Sequence, residues 1–236
     1  MKEDNTTTIQ PVLKNRIILI SGAYGGIGRI VSKGFAAQGA LVILLGRNIR
    51  KLTALYDEIE AADHPTPAIY PMDLTTATAQ DFQTLEETLE KNFGRLDGLI
   101  HNAALLGSLT PLEYYPLEQW HQVMQVNVHS AFLLSQATLP LLKRSDQASI
   151  IFSNAAQDEG SKAYWGAYGI SQWAREGLAR MLAEECQTHT NIGVHCVHPH
   201  KVKTPLRHAA YPLEDKRDLL DPEAILPLYL DCILRS

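Results

Sequence analysis

Hydrophobic and polar positions alternate along this chain between two periods. Four runs, IILI (17–20), LVILL (41–45), LIH (99–101) and SIIF (149–152), are short, apolar and carry β-branched residues, as strands buried on both faces do. With two weaker runs they predict strands over 16–21, 41–46, 68–72, 96–101, 149–153 and 192–198. Between them, apolar residues at i, i+3 and i+4 predict helices over 28–38, 50–62, 78–93, 117–143 and 168–186. The fourth helix carries Trp120, Val123, Met124, Val126, Phe132, Leu133 and Leu134 around so much of its circumference that packing on two sides is expected, one of them against a second subunit. Strands alternating with helices from residue 16 to residue 198 read as a parallel sheet covered by helices.

The polar stretch 199–221, with Pro205 and Pro212, breaks this rhythm, and a final helix is expected over 222–234. In open α/β sheets ligands bind beyond the carboxyl ends of the strands. A long segment after the last strand is therefore a candidate substrate loop or lid, with an untethered surface loop as the alternative. Residues 1–14 read as an N-terminal extension. The expected fold class is α/β, with residues 1–236 forming one doubly wound domain. A chain of 236 residues buries roughly 70–75% of its unfolded surface, so its core needs neither disulfide nor metal.

Charge and cysteine usage narrow the partners. A net charge of −5 argues against a phosphate-backbone binder, so no nucleic-acid partner is expected. Cys186, Cys196 and Cys232 form no C-x-x-C pair, which excludes a zinc ribbon or disulfide framework and fits a reducing compartment. The opening MKEDNTTTIQPVLKN lacks the apolar core of a secretory signal, and no run reaches the ~18 apolar residues of a membrane span. A cytoplasmic protein with no membrane partner is expected.

Chemistry enters at Ser21-Gly22-Ala23-Tyr24-Gly25-Gly26-Ile27-Gly28, between the first strand and the first helix. Strand, glycine turn and helix N-terminus together present amides and the positive end of a helix dipole to a pyrophosphate. Gly22 permits the turn, Gly26 the approach of the phosphates, and Gly28 the close packing of helix on strand. Dinucleotide sites commonly place an acid for the ribose hydroxyls, or a base for a 2′-phosphate, at the end of the second strand. Here that position reads Gly46-Arg47-Asn48, and a guanidinium that forks onto a phosphate favours NADP(H) over NAD(H).

At this point the chain resembles the short-chain dehydrogenase/reductase family from about residue 15 to residue 234. The S-G-x-x-x-G-I-G loop is similar to the family's cofactor fingerprint, with Ser21 where threonine is usual. Asp73-Leu74 looks like the pair that borders the adenine, and Asn102-Ala103-Ala104 resembles the N-A-G motif, with Ala104 replacing its glycine. Asn127 matches the helix asparagine that bends its helix and holds a water in the proton relay. Tyr168 matches the catalytic tyrosine. Pro199, Val202 and Thr204 match the segment that binds the nicotinamide carboxamide. The resemblance implies a Rossmann fold with strand order 3-2-1-4-5-6 and a small carbonyl or alcohol substrate. The chain ends at Ile233-Leu234-Arg235-Ser236, where family members continue into a seventh strand. Six strands and a homodimer through the fourth and fifth helices are therefore expected.

Two departures fall on the chemistry. The family's lysine, four residues after the tyrosine, is Gln172 here, and its serine, thirteen residues before, is Ala155. A slip of one residue offers Asn154 and a slip of two offers Ser153. In the family the lysine bonds the nicotinamide ribose and lowers the tyrosine pKa. Gln172 is expected to keep only the ribose contact, because a neutral amide supplies no charge. With a pKa near ~10, about one tyrosine in a thousand is ionised at pH 7. Oxidation, which needs a base, suffers most, whereas reduction needs only the neutral phenol of Tyr168. His200, where the family has glycine, either narrows the pocket or, with Lys201, restores a proton donor near Tyr168.

Two readings follow. One is an NADP(H)-dependent oxidoreductase of reduced competence that reduces carbonyls. The other is a catalytically inactive nucleotide- or partner-binding homologue. A metal site at His195, Cys196, His198 and His200 is weighed and set aside, since no carboxylate stands near them in sequence. Trp165 is a candidate for the substrate entrance, or packs beneath the helix.

Overall fold

A computed structural model describes residues 11–155, 162–188 and 190–235. Residues 1–10 of the expected extension lie outside them. Leu13, at the end of that extension, is fully buried and donates its amide to the Gln38 carbonyl (2.8 Å).

Six strands, β1 (Ile17–Ser21), β2 (Leu41–Gly46), β3 (Ala68–Pro71), β4 (Gly98–His101), β5 (Ala148–Ser153) and β6 (Ile192–Val197), form one sheet in the order β3-β2-β1-β4-β5-β6. Every pairing is parallel, for example Ile18 against both Val42 and Gly98. Helices α1 (Gly26–Ala37), α2 (Ile49–Ala61) and α3 (Ala79–Phe93) follow the first three strands. α4 (Leu117–Met124) and α5 (Ser130–Leu142) precede β5, and α6 (Gly166–Gln187) precedes β6. α7 (Pro205–Ala210) and α8 (Leu226–Leu234) follow it.

The apolar runs divide between two cores. On one face Val31, Phe35, Leu55, Tyr229 and Ile233 from α1, α2 and α8 cover Ile18, Ile20 and Val42. On the other, Phe82, Leu85, Leu134, Leu141 and Leu182 from α3, α5 and α6 cover Leu19, Ile43 and Ile150. The strand order reverses between β1 and β4, so the helices diverge there and open a crevice beyond the carboxyl ends of the strands.

Local chemistry moved several predicted boundaries. The fourth predicted helix is two helices joined by a π turn, Gln125–His129, centred on Asn127. The segment 199–221 is folded: Val202 pairs with Leu220, and α7 is capped by Thr204, whose Oγ1 accepts the Arg207 amide (3.1 Å). Arg207 there forks onto Glu214 through two bonds of 2.7 Å. Among the described residues no helix is long and apolar enough to cross a membrane.

Candidate active site

The switch-point crevice encloses about 450 Å³, within the range of small-molecule sites. Its floor is the glycine loop. Gly22 has φ +63°, and a Cβ there would lie 2.9 Å from the Ala103 Cα, so the turn tolerates no side chain. The loop is tied to the chain after β4 by Asn102, whose Nδ2 donates to the Gly22 carbonyl (3.0 Å). α1 then begins at Gly26 with no side-chain cap and no acidic residue in its first turn. An uncapped N-terminus beside a glycine loop presents amides and positive potential without a competing carboxylate, and this donor set fits a diphosphate.

Not every glycine-loop residue faces the crevice. Tyr24, Gly26 and Ile27 line it. Ser21 is buried and works beneath the loop, donating to the Ile100 carbonyl and accepting the amides of Asn102 and Ala103 (3.1–3.2 Å). A Cβ on Gly28 would stand 2.2 Å from the Gly22 carbonyl, which is why helix and turn can meet at all. Gly28→Ala should lower stability by about 2 kcal/mol through forced separation of α1 from the turn. A thermal melt should show this as a fall of about 5 °C in Tm, and an unchanged melt would contradict the packing described.

The outer end of the crevice is cationic. Arg47 and Lys51 both line it, with the Lys51 ammonium 5.6 Å from the centre of the Tyr24 ring. Lys51 escaped the sequence reading because it lies one helical turn beyond the strand end, where Asn48 Oδ1 accepts its amide and caps α2. Asp73 and Leu74 form the adjoining wall. Burial pushes the Asp73 carboxyl up, but two hydrogen bonds from Thr75 and the Arg47 charge hold it below the usual value.

Tyr168 lies at the opposite end, buried, with the Trp165 ring tilted against it at 5.5 Å and Trp165 in turn 5.5 Å from Tyr211. Trp165, Ala155, Pro199, Val202 and Thr204 line the crevice with it. His200 also lines it, at φ +60°. It retains a left-handed backbone that glycine adopts more easily.

Two expected site residues stand behind this surface. Asn127 is fully buried in the π turn, where its Oδ1 accepts the Leu105 amide (2.8 Å) and its Nδ2 donates to the Leu105 carbonyl (3.0 Å) and Ser171 Oγ (2.8 Å). Ser171 Oγ donates to the Tyr168 carbonyl (2.7 Å), so Asn127 braces the tyrosine's helical turn. Gln172 is also buried, and its Oε1 accepts the Ala155 amide (2.9 Å). The oxygen of this side chain, which is expected to contact a ribose, holds the backbone where the family's serine would stand. Ser153 and Asn154 also line the crevice; Ser153 Oγ accepts a bond from Tyr229 (2.7 Å), and Asn154 Oδ1 accepts Arg175 Nε (2.8 Å).

The histidines near 195–200 disperse. His195 bonds the Arg235 carbonyl (2.7 Å), while His198 pairs with Glu176 (3.2 Å). Glu176, from α6, is the nearby carboxylate that sequence distance concealed. It also faces Cys196, whose thiol is pushed up to about 12 by burial and by that carboxylate.

Comparison with known proteins agrees with this architecture. A family model described as short chain dehydrogenase matches residues 16–215. The uncharacterised oxidoreductase YciK of Escherichia coli K12 is 42% identical over 221 residues, which span 94% of this chain and 87% of that one. A short chain dehydrogenase of Shigella flexneri 2a solved with NADP superposes with a TM-score of 0.91 at 41% identity, covering 95% of this chain and 93% of that one. One from Escherichia coli CFT073 solved with NADPH gives 0.91 at 42%, covering 95% and 92%. The sheet order thus coincides with a match across most of the sequence, and the chain belongs to the short-chain dehydrogenase family.

Proposed function

We propose that this protein binds NADP(H) and reduces a small carbonyl compound, with Tyr168 as the proton donor. The observation that carries this reading is one crevice with a glycine-loop cradle, a cationic end at Arg47 and Lys51, and a phenol at the far end. The two relatives solved with NADP and NADPH support the choice of dinucleotide. The cradle and α1 amides would hold the diphosphate, Arg47 and Lys51 the 2′-phosphate, and Pro199, Val202 and Thr204 the nicotinamide end. When bound, the reduced nicotinamide supplies hydride to a carbonyl carbon. Tyr168 Oη gives its proton to the carbonyl oxygen, so the product is an alcohol, and water restores the phenol. Trp165, Tyr211 and α7 exclude solvent and select an apolar substituent beside the reacting carbon.

A second reading, binding without turnover, is favoured by one contact: Ala155 and Gln172 satisfy each other and leave the substrate oxygen without a serine. Titrating NADPH by fluorescence and then testing a panel of aldehydes and ketones separates the two. Turnover supports the first reading, binding alone the second, and no binding removes both. Removing Arg47 and Lys51 together should weaken NADPH by about 10²-fold or more and leave NADH unchanged, since each charged hydrogen bond contributes about 1.5–3 kcal/mol. Equal losses for both dinucleotides would reject the 2′-phosphate assignment.

The exposed Phe132 of α5 and Trp173 and Met181 of α6 support a homodimer through these helices. Sedimentation tests this, and a monomer at micromolar concentration counts against it.

A further inference from the structure

Arg175 is the largest fully buried side chain among the described residues, 1% exposed, and the function proposed above gives it no part. It follows Tyr168 by seven residues and Gln172 by three on α6, so all three share one helical face. Its guanidinium spends every nitrogen on neutral oxygens. Nε donates to Asn154 Oδ1 (2.8 Å), Nη1 to the carbonyls of Ala103 (3.0 Å) and Asn127 (3.5 Å), and Nη2 to those of His101 (2.6 Å) and Ser153 (3.2 Å). These oxygens come from the carboxyl ends of β4 and β5 and from the π turn. No carboxylate bonds it among the described residues.

We infer that Arg175 is the positioning residue of this active site and its source of positive charge: it clamps the β4 and β5 ends and Asn127 behind Tyr168, and its cation favours the tyrosinate. This rests on the proposed role of Tyr168 as the proton-transferring group. A buried cation without an anion is costly, and the field it leaves uncancelled stabilises any anion that forms beside it. Burial lowers the guanidinium pKa to about 10, so it stays protonated at neutral pH. The geometric link to Tyr168 runs along the shared face of α6 and through Asn127, which Arg175 holds by its carbonyl and which bonds Ser171 Oγ, the donor to the Tyr168 carbonyl.

The other groups facing this pair leave that role to Tyr168. On β4, His101 is held well below its ordinary pKa by burial and by the Arg175 charge, hence neutral. On β6, burial keeps the Cys196 thiol protonated, and on α8 it raises the Tyr229 phenol. Glu176 is committed to His198 and Asn154. On the crevice side stand His200, Tyr211 and the Arg207–Glu214 pair. Gln172 has lost the charge expected of that position, and Arg175, one turn deeper, supplies one.

The test is a pH titration followed by NMR of protein labelled with ¹³Cζ-tyrosine, without substrate or dinucleotide. Tyr168 is assigned among the nine tyrosines by its loss in Tyr168→Phe. In the wild type it should titrate below the ordinary tyrosine value. Arg175→Met should raise that value by about one unit, and adding Gln172→Lys to Arg175→Met should bring it back down. Arg175→Lys, which keeps the charge and loses the fork, should leave it low. A wild-type Tyr168 titrating at or above the ordinary value overturns the inference, even if Arg175→Met fails to fold. So does an unmoved Tyr168 in folded Arg175→Met. NADPH fluorescence on the same wild-type sample is the separate control, because its failure sinks the dinucleotide reading and leaves the titration standing.

Discussion

Tyr168→Phe should reduce carbonyl reduction by about 10²- to 10⁴-fold, the usual contribution of a positioned acid, while leaving NADPH affinity within about twofold. The ring is retained, and with it the tilted contact with Trp165 at 5.5 Å and the packing against α7. The change therefore removes the hydroxyl with its proton and keeps the ring. The Ser171 bond to the Tyr168 carbonyl is a main-chain contact and survives the substitution. Steady-state kinetics on the best substrate of the panel, with NADPH binding measured on the same samples, checks both halves. A variant that keeps its turnover would assign the proton to another group of the crevice, His200 first. One that loses NADPH as well would place Tyr168 among the binding groups.

Much of this was legible because sheet and loop obey short-range rules. Buried parallel strands must be continuously apolar, so LVILL and SIIF marked β2 and β5 almost to the residue. A phosphate cradle must be glycine-rich at a strand–helix junction, so Gly22, Gly26 and Gly28 located the crevice. What stayed hidden depends on contacts between distant residues. Arg175 sits on the buried stripe of α6 with Tyr168, Gln172, Ala179 and Leu182, and an arginine in an apolar stripe was the available signal. Its partners, though, lie 21 to 74 residues away. The spacing of Gln172 from Tyr168 matches a ribose contact, but nothing in that spacing reveals that its oxygen accepts the Ala155 amide, 17 residues earlier. Glu176 was missed as the partner of His198 for the same reason. The region 199–221 looked loop-like because its order comes from Thr204 capping α7 and from Arg207 on Glu214, neither of which leaves an apolar period.

Ala155→Ser is expected to raise kcat/KM by about 10²-fold, since one aligned donor to a developing oxyanion contributes about 10²- to 10³-fold. Ala155 already lines the crevice, and its amide is fixed by Gln172, so a hydroxyl added there starts from a braced backbone. Gln172→Lys should behave differently. It removes the acceptor of that amide and sets a second cation three residues from the Arg175 guanidinium, where like charges disfavour each other. With Arg175 already supplying the charge, Gln172→Lys should gain less than about tenfold alone. The Ala155→Ser/Gln172→Lys pair should then be less than about tenfold faster than Ala155→Ser. Initial rates for the four proteins of this cycle decide the point. A double variant much faster than Ala155→Ser would mean that the site lacked a cation at residue 172 all along, and that Arg175 holds the strand ends without acting on Tyr168.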